Sequence, residues 1–165
     1  MSLGLNVDTY KSTLPNNLDL KEDYGLSPTI GYKYLNYWGN LALRTGLFFE
    51  WKYPQINNPS APTGERLIKL RSYYVAIPIN LQFKIHSKWE VFGGYNPRVL
   101  LAKTCEDCGN FDDEGKVLVG YWNAGFTYRM SPKWSADVGF HNAQTESYKD
   151  LKINTAQILL NYSFD

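Results

Sequence analysis

Residues 73–85 read YYVAIPINLQFKI, and their parity is unbroken. Tyr73, Val75, Ile77, Ile79, Leu81, Phe83 and Ile85 form one apolar set, and Tyr74, Ala76, Pro78, Asn80, Gln82 and Lys84 stand between them. Side chains of a β-strand alternate between two faces, so a run of this length predicts a strand with two unlike surfaces. The fold depends on which surface meets the solvent, and on whether that solvent is water.

The same pattern recurs along the chain. In LALRTGLFFEWKY, Leu41, Leu43, Leu47, Phe49, Trp51 and Tyr53 oppose Ala42, Arg44, Gly46, Phe48, Glu50 and Lys52. In WEVFGGYNPRVLL, Trp89, Val91, Tyr95, Val99 and Leu101 oppose Glu90, Gly94, Asn96 and Arg98. YWNAGFTYRM sets Trp122, Ala124, Phe126, Tyr128 and Met130 against Tyr121, Asn123, Gly125, Thr127 and Arg129. WSADVGFH and AQILLNYSF continue it, with Asp137 and His141 on the polar side and Leu160, Tyr162 and Phe164 on the apolar one. Two weaker segments, 2–10 and 24–35, open the chain. The expectation is an all-β protein of eight strands, most of about 9–13 residues, with no amphipathic helix.

Segments 36–40 (NYWGN), 86–88 (HSK) and 131–133 (SPK) carry the Gly, Asn, Ser and Pro of tight turns. Between them lie longer polar connections at 11–23, 54–70, 103–116 and near 145–151. Short and long connections in alternation predict an antiparallel up-and-down meander with a plain end and a loop-rich end. Eight such strands can close into a barrel and leave no edge.

Volume decides between the two faces. The apolar sets hold roughly three dozen residues, many of them aromatic, and an eight-stranded interior only just accommodates its side chains. The polar sets are rich in Gly, Ala and Ser and contain both signs of charge. Arg44, Lys84, Arg98 and Arg129 are expected in the lumen with Glu50, Glu90 and Asp137, because ions kept from water need partners. Lys33, Lys52 and Asp8 share the same phase. The apolar face is therefore read as the outside, in contact with lipid. A soluble lipocalin-like barrel, with the faces exchanged, is the alternative. Aromatic placement favours lipid: Trp38, Trp89, Trp134 and Phe164 cluster at the turn end, and Trp51, Tyr53 and Tyr73 at the other rim. Two such girdles frame the apolar band of a transmembrane barrel.

Composition excludes other classes. Among 165 residues, 17 basic and 16 acidic side chains give a formal charge of +1, which is no footprint for nucleic acid. Aromatics reach 16%, although mean hydropathy is −0.40. No apolar run approaches the roughly 18–20 residues of a transmembrane helix. MSLGLNVDTY lacks the basic and apolar regions of a signal peptide, so an exported protein would be represented here by its mature chain. The length predicts one domain, 1–165.

The hairpin of YYVAIPINLQFKI and WEVFGGYNPRVLL, the opening GLNVDTY and the strand LRTGLFFEWKY resemble the PorT-like outer-membrane β-barrel family of Bacteroidota. The resemblance spans nearly the whole chain. It implies a Gram-negative outer membrane, tight turns in the periplasm, long loops outside, and lipid, lipopolysaccharide and envelope proteins as partners. The terminal Phe164 fits outer-membrane barrels, which end in an aromatic residue, although Asp165 follows it here.

Chemistry is sparse. His86 falls in a turn and His141 on the polar face. Lipid A deacylases carry a Ser two residues after the catalytic His, whereas Asn142 and Ala143 follow His141. No catalytic, cofactor or metal site is expected. Cys105 and Cys108 in TCEDCGNFDDEGK suit a small disulfide loop in an oxidising compartment. The neighbouring Glu106, Asp107, Asp112, Asp113 and Glu114 read as a solvated acidic loop. Pro78, lacking a ladder donor, predicts a local bulge. The functional expectation is a structural or interaction barrel, with a narrow porin-like channel and a lipid-modifying enzyme as alternatives.

Overall fold

A computed structural model describes residues 1–12, 24–53, 55–58, 66–106, 116–145, 147 and 151–164. They form ten β-segments: β1 (Ser2–Ser12), β2 (Tyr24–Trp38), β3 (Leu41–Lys52), β4 (Gln55–Asn58), β5 (Arg66–Ala76), β6 (Ile79–Lys84), β7 (Trp89–Glu106), β8 (Leu118–Arg129), β9 (Trp134–Ala143) and β10 (Leu151–Tyr162). No α-helix occurs among the described residues. The segments make eight staves. β3 and β4 run as one, as do β5 and β6, and their hairpin holds one register from Leu41 opposite Phe83 to Asn58 opposite Arg66. β1 pairs with both β10 and β2, and β2 pairs with β3, so the antiparallel sheet closes on itself. Closure gives every stave two neighbours and removes the edges that would expose unpaired backbone.

Several staves exceed their expected length. β7 has 18 residues and β2 has 15. The connection expected at 54–70 is in part a continuation of the hairpin, because Gln55–Asn58 pairs with Arg66–Lys69. Polar composition suggests a loop in the sequence, and it does not stop a ladder from extending. At the other end β2 continues through Trp38, leaving Gly39 and Asn40 as the turn. A two-residue hairpin turn wants a positive φ at its first position, and Gly39 has φ +63°.

Pro78 interrupts the ladder between β5 and β6 without a bulge, since β3 keeps its register from Phe48 opposite Ala76 to Thr45 opposite Ile79. The neighbouring Ile77 N–H still donates to Pro97 O at 3.0 Å. The register shift lies instead against β7, between Tyr73 (opposite Ala102) and Tyr74 (opposite Leu100). A missing N–H weakens one rung, whereas a bulge needs an extra residue, and Leu101 is that residue.

Ile79 is 54% exposed and Leu81 58%, while Asn80 and Gln82 between them are buried. The wall is apolar at nearly every outward position, including Leu3, Leu5, Phe49, Val91, Phe126, Val138, Ile158 and Leu160. Exposed apolar area on this scale is stable only against hydrocarbon. Trp38, Trp89, Trp134 and Phe164 are exposed at the turn end. There Trp134, Tyr162 and Phe164 stack edge to face, with centroids 4.9 and 5.0 Å apart. Trp51 stands opposite Tyr73 toward the loop end, and Tyr53 is exposed just beyond it.

The lumen fits through paired size differences. Phe92 lies over Gly125 and Gly139, and a Cβ on Gly125 would stand 2.6 Å from its ring and 2.2 Å from Val138 O. Phe48 lies over Gly31 and Gly46 in the same way.

Leu81→Arg places a charge on the wall and should cost about 2–4 kcal/mol of barrel stability. Urea titration of folding into lipid vesicles measures this, and unchanged stability would remove lipid from that face.

Candidate functional site

The interior consists of layers stacked along the barrel axis. At the turn end Glu90 receives Arg129 at 2.6 Å and Tyr37 Oη at 3.3 Å, and Gln82 donates to it as well. Arg129 also donates to Tyr37, which ties β2, β6, β7 and β8 across the mouth. A vestibule of about 320 Å³ opens here, bordered by Lys33, Tyr37, Glu90, Arg129 and Trp134.

Asp137 forms the next layer. It accepts from Lys33 Nζ at 3.0 Å, Arg44 NH2 at 2.9 Å and Thr127 Oγ1 at 2.7 Å. The Arg44 guanidinium lies 3.9 Å above the Phe92 ring, which fills the space that Gly125 and Gly139 leave. Asn6 donates to Thr29 at 2.9 Å and accepts from Gln157 at 2.9 Å at mid-depth.

A third layer is built on two carboxylates and two cations. Asp8 receives Lys52 and Ser27, and Thr155 at 2.6 Å. Lys52 also lies 3.6 Å from Glu50, and Glu50 lies 3.0 Å from Arg98 Nε, an ion pair by distance without hydrogen-bond alignment. Arg98 is entirely buried. Burying four ions this deeply is tolerable because each meets an opposite charge. His141 Nδ1 lies 3.1 Å from Asn96 Nδ2 and 3.2 Å from Arg98 NH2. Both neighbours are donors, so Nδ1 accepts and the ring is the Nε2–H tautomer.

Toward the loop end the lumen turns apolar. Tyr74, Val119, Tyr121 and Ala143 pack together with Leu100, and Arg98 lies 3.8 Å over the Tyr121 ring. Tyr121 Oη and Ser147 Oγ are 3.2 Å apart.

Of the residues expected in the lumen, Arg44, Glu50, Glu90, Arg98 and Asp137 are buried there, and Arg129 sits half-exposed at the mouth. Lys84 is exposed at the turn end. Its parity points inward, but it lies so near the end of β6 that water reaches it. Tyr37 and Gln82 were not expected as Glu90 partners, although Tyr37 shares the inward parity of Lys33. Among the described residues there is no free cysteine. Cys105 stands opposite Leu70 in the β5–β7 ladder. Cys108 lies outside the described residues, as do Asp107, Asp112, Asp113, Glu114 and Asp165. No cluster of metal-ligating side chains occurs among the described residues.

Glu50→Met leaves Arg98 buried without its carboxylate and should cost about 3–5 kcal/mol. The double variant Glu50→Met with Arg98→Met should lose much less, because no unpaired ion remains. Urea unfolding of both from vesicles checks this, and equal losses would show that the pair is not coupled.

Comparison with known proteins agrees with this geometry. Among curated proteins none matches the sequence. Residues 1–164 match the family model of the outer membrane protein beta-barrel domain. Neisserial surface protein A has a similar structure, with a TM-score of 0.64 at 16% identity over 99% of this chain and 95% of that one. The attachment invasion locus protein Ail of Yersinia pestis superposes with a TM-score of 0.51, also at 16% identity and with the same coverage. At such identity these two neighbours share the fold, and the family match covers almost every residue. The chain is an eight-stranded antiparallel barrel of the bacterial outer membrane and belongs to the outer membrane protein beta-barrel domain family.

Proposed function

We propose that the protein is a structural or interaction component of the outer membrane, without catalytic activity, working through its loop end and its lipid-facing wall. One observation carries this reading: the interior is occupied by its own side chains. Cations and carboxylates of the lumen pair with one another, and Tyr74, Val119, Tyr121 and Ala143 close it toward the loop end. A lumen filled in this way speaks against a continuous water path. The surfaces left for recognition are the wall and the loops, and loops on a rigid scaffold commonly carry binding.

The finer placement is the PorT-like branch of Bacteroidota, supported by the IPIN hairpin and the GLNVDTY opening. In that setting the chain is one domain, the turns face the periplasm, and the loops face outward toward lipopolysaccharide or other envelope proteins. Nucleic acid is not a partner. Cys105 and Cys108 close a small disulfide loop at that outer end. The paired-ion layers and the girdle residues Trp38, Trp51, Tyr53, Tyr73, Trp89, Trp134 and Phe164 serve stability and membrane seating.

Two measurements test the reading. Purified protein in a planar bilayer should give no steady unitary current, and reproducible steps would favour the channel. Crosslinking in native outer membrane should join the chain to a specific envelope protein. Deletion of 107–114 combined with Cys105→Ser should abolish that product while leaving folding intact, because closure entropy changes slowly with loop length. A product unaffected by the deletion would move the contact to the wall.

A further inference from the structure

The barrel wall has a gap at its turn end. β1 pairs with β2 only as far as Ser2 opposite Gly31. β2 continues through Trp38, and from Tyr32 onward β3 alone is its partner. On the far side β10 also runs past Met1, into Ser163 and Phe164. β1 separates these two staves above, so below it they stand two strand spacings apart, roughly 9–10 Å. The gap is the width of one strand. The vestibule of about 320 Å³ occupies it, lined by Met1, Leu35, Tyr37, Asn161 and Ser163 among others.

The direction of the backbone groups follows rung by rung. Met1 and Tyr162 exchange two hydrogen bonds, of 2.7 and 2.8 Å, so the Met1 backbone faces β10. Successive residues of a strand face opposite neighbours, so Ser2 faces β2 and Gly31 faces β1 in return. The same phase turns the N–H and C=O of Lys33, Leu35 and Tyr37 into the gap. Tyr32, Tyr34 and Asn36 face β3, in keeping with Trp38 and Leu41 as the closing pair of a two-residue turn. The open edge lies on the membrane side of Trp38, where hydrocarbon offers backbone groups no partner.

An occupant must be one strand wide and carry free hydrogen-bonding groups on both sides. A second copy cannot enter, because its strands are held in a closed sheet. An acyl chain has the width without the hydrogen bonds. An extended polypeptide tail has both. Its outward side chains would lie between the exposed Tyr34 and the stacked pair Trp134 and Tyr162, which suits apolar residues. Its inward side chains would meet Arg129, which is 39% exposed, and Lys33, which shares Asp137 with Arg44. That surplus of cations suits small or acidic residues.

We propose that the gap is a strand-acceptor site for an extended tail of an envelope protein, apolar outward and small or acidic inward. The tail runs in the direction of β1 and pairs with Lys33, Leu35 and Tyr37. The inference rests on the reading of the protein as an interaction component and gives it a contact at the turn end.

The probe is a seven-residue peptide alternating Val with Ser and Asp, added to the full chain in detergent. In the chain alone, amide exchange followed by NMR should be fast at Lys33, Leu35 and Tyr37 and slow at Tyr32, Tyr34 and Asn36. The peptide should slow the first three by roughly tenfold or more. Inward Ser2 faces β2, so the Ser and Asp amides of the tail do so too. A peptide N-methylated at those residues should therefore protect none. Leu35→Pro removes a donor only from the open edge, where proline is tolerated, so the variant should fold and no longer bind. If it does not fold, the methylated peptide decides. Slow exchange at all six amides without peptide would mean that backbone, such as residues preceding Met1, already covers the edge. That result, no protection, or protection undiminished by methylation would each overturn the proposal. The loop-end crosslink is read on another face, so either reading can fail alone.

Discussion

Every backbone N–H and C=O that crosses hydrocarbon has to find its partner within the protein, because the bilayer core offers none. For a chain that crosses with strands, this means a sheet without edges. Here the constraint is met where β1 returns to β10, with an unbroken register from Ser2 opposite Asn161 to Ser12 opposite Leu151. Closure at eight staves then sets the interior diameter. Bulky rings inside are tolerated only over glycine, as Phe92 is over Gly125 and Gly139. The larger share of apolar volume is forced outward, where lipid solvates it.

The interior is polar as a consequence, and its chemistry is directed at itself. Single ions in so narrow a space would be prohibitively costly, so Asp8, Glu50, Glu90 and Asp137 each meet a cation. Several of these pairs bridge staves that are not neighbours, although Glu90 and Arg129 lie on the adjacent β7 and β8. Lys33 on β2 reaches Asp137 on β9, and Arg129 on β8 reaches Tyr37 on β2. Such spokes lock the relative rotation of the staves, which backbone ladders alone constrain only between neighbours. The same pairing fills the middle of the lumen with the protein's own side chains.

Much of this was legible because strand parity is binary and the barrel closes. Once one strand is assigned, the inside and outside of its neighbours follow from their own alternation, and the phases of Arg44, Glu50, Arg98 and Asp137 required no structure. Depth was less legible. Lys84 has the inward phase of Gln82, yet it lies at the level of the turn and ends in water, while Gln82 and Tyr37 take Glu90. Depth depends on the stagger between staves, which a single sequence does not encode. The position of the bulge was hidden for a related reason. Pro78 advertises a missing donor, but the extra residue is Leu101 on the partner stave, and only pairing reveals it. The β4 continuation was hidden because QINN looks like any polar loop.

These constraints divide the molecule into parts that tolerate change very differently. On a stave, an outward position requires an apolar side chain, while an inward one demands small size or a matched charge. A substitution there is therefore penalised on either face. Beyond the aromatic level around Trp51, Tyr53 and Tyr73 neither requirement holds, since water satisfies backbone and side chain alike. The hairpin of β3–β4 with β5 carries the sheet past that level, and β7 follows it as far as Glu106 opposite Lys69. The sheet thus extends as a ledge at its loop end, continuous with the ladders that span the membrane. Connections mounted on such a ledge can vary in sequence and length at little cost to folding.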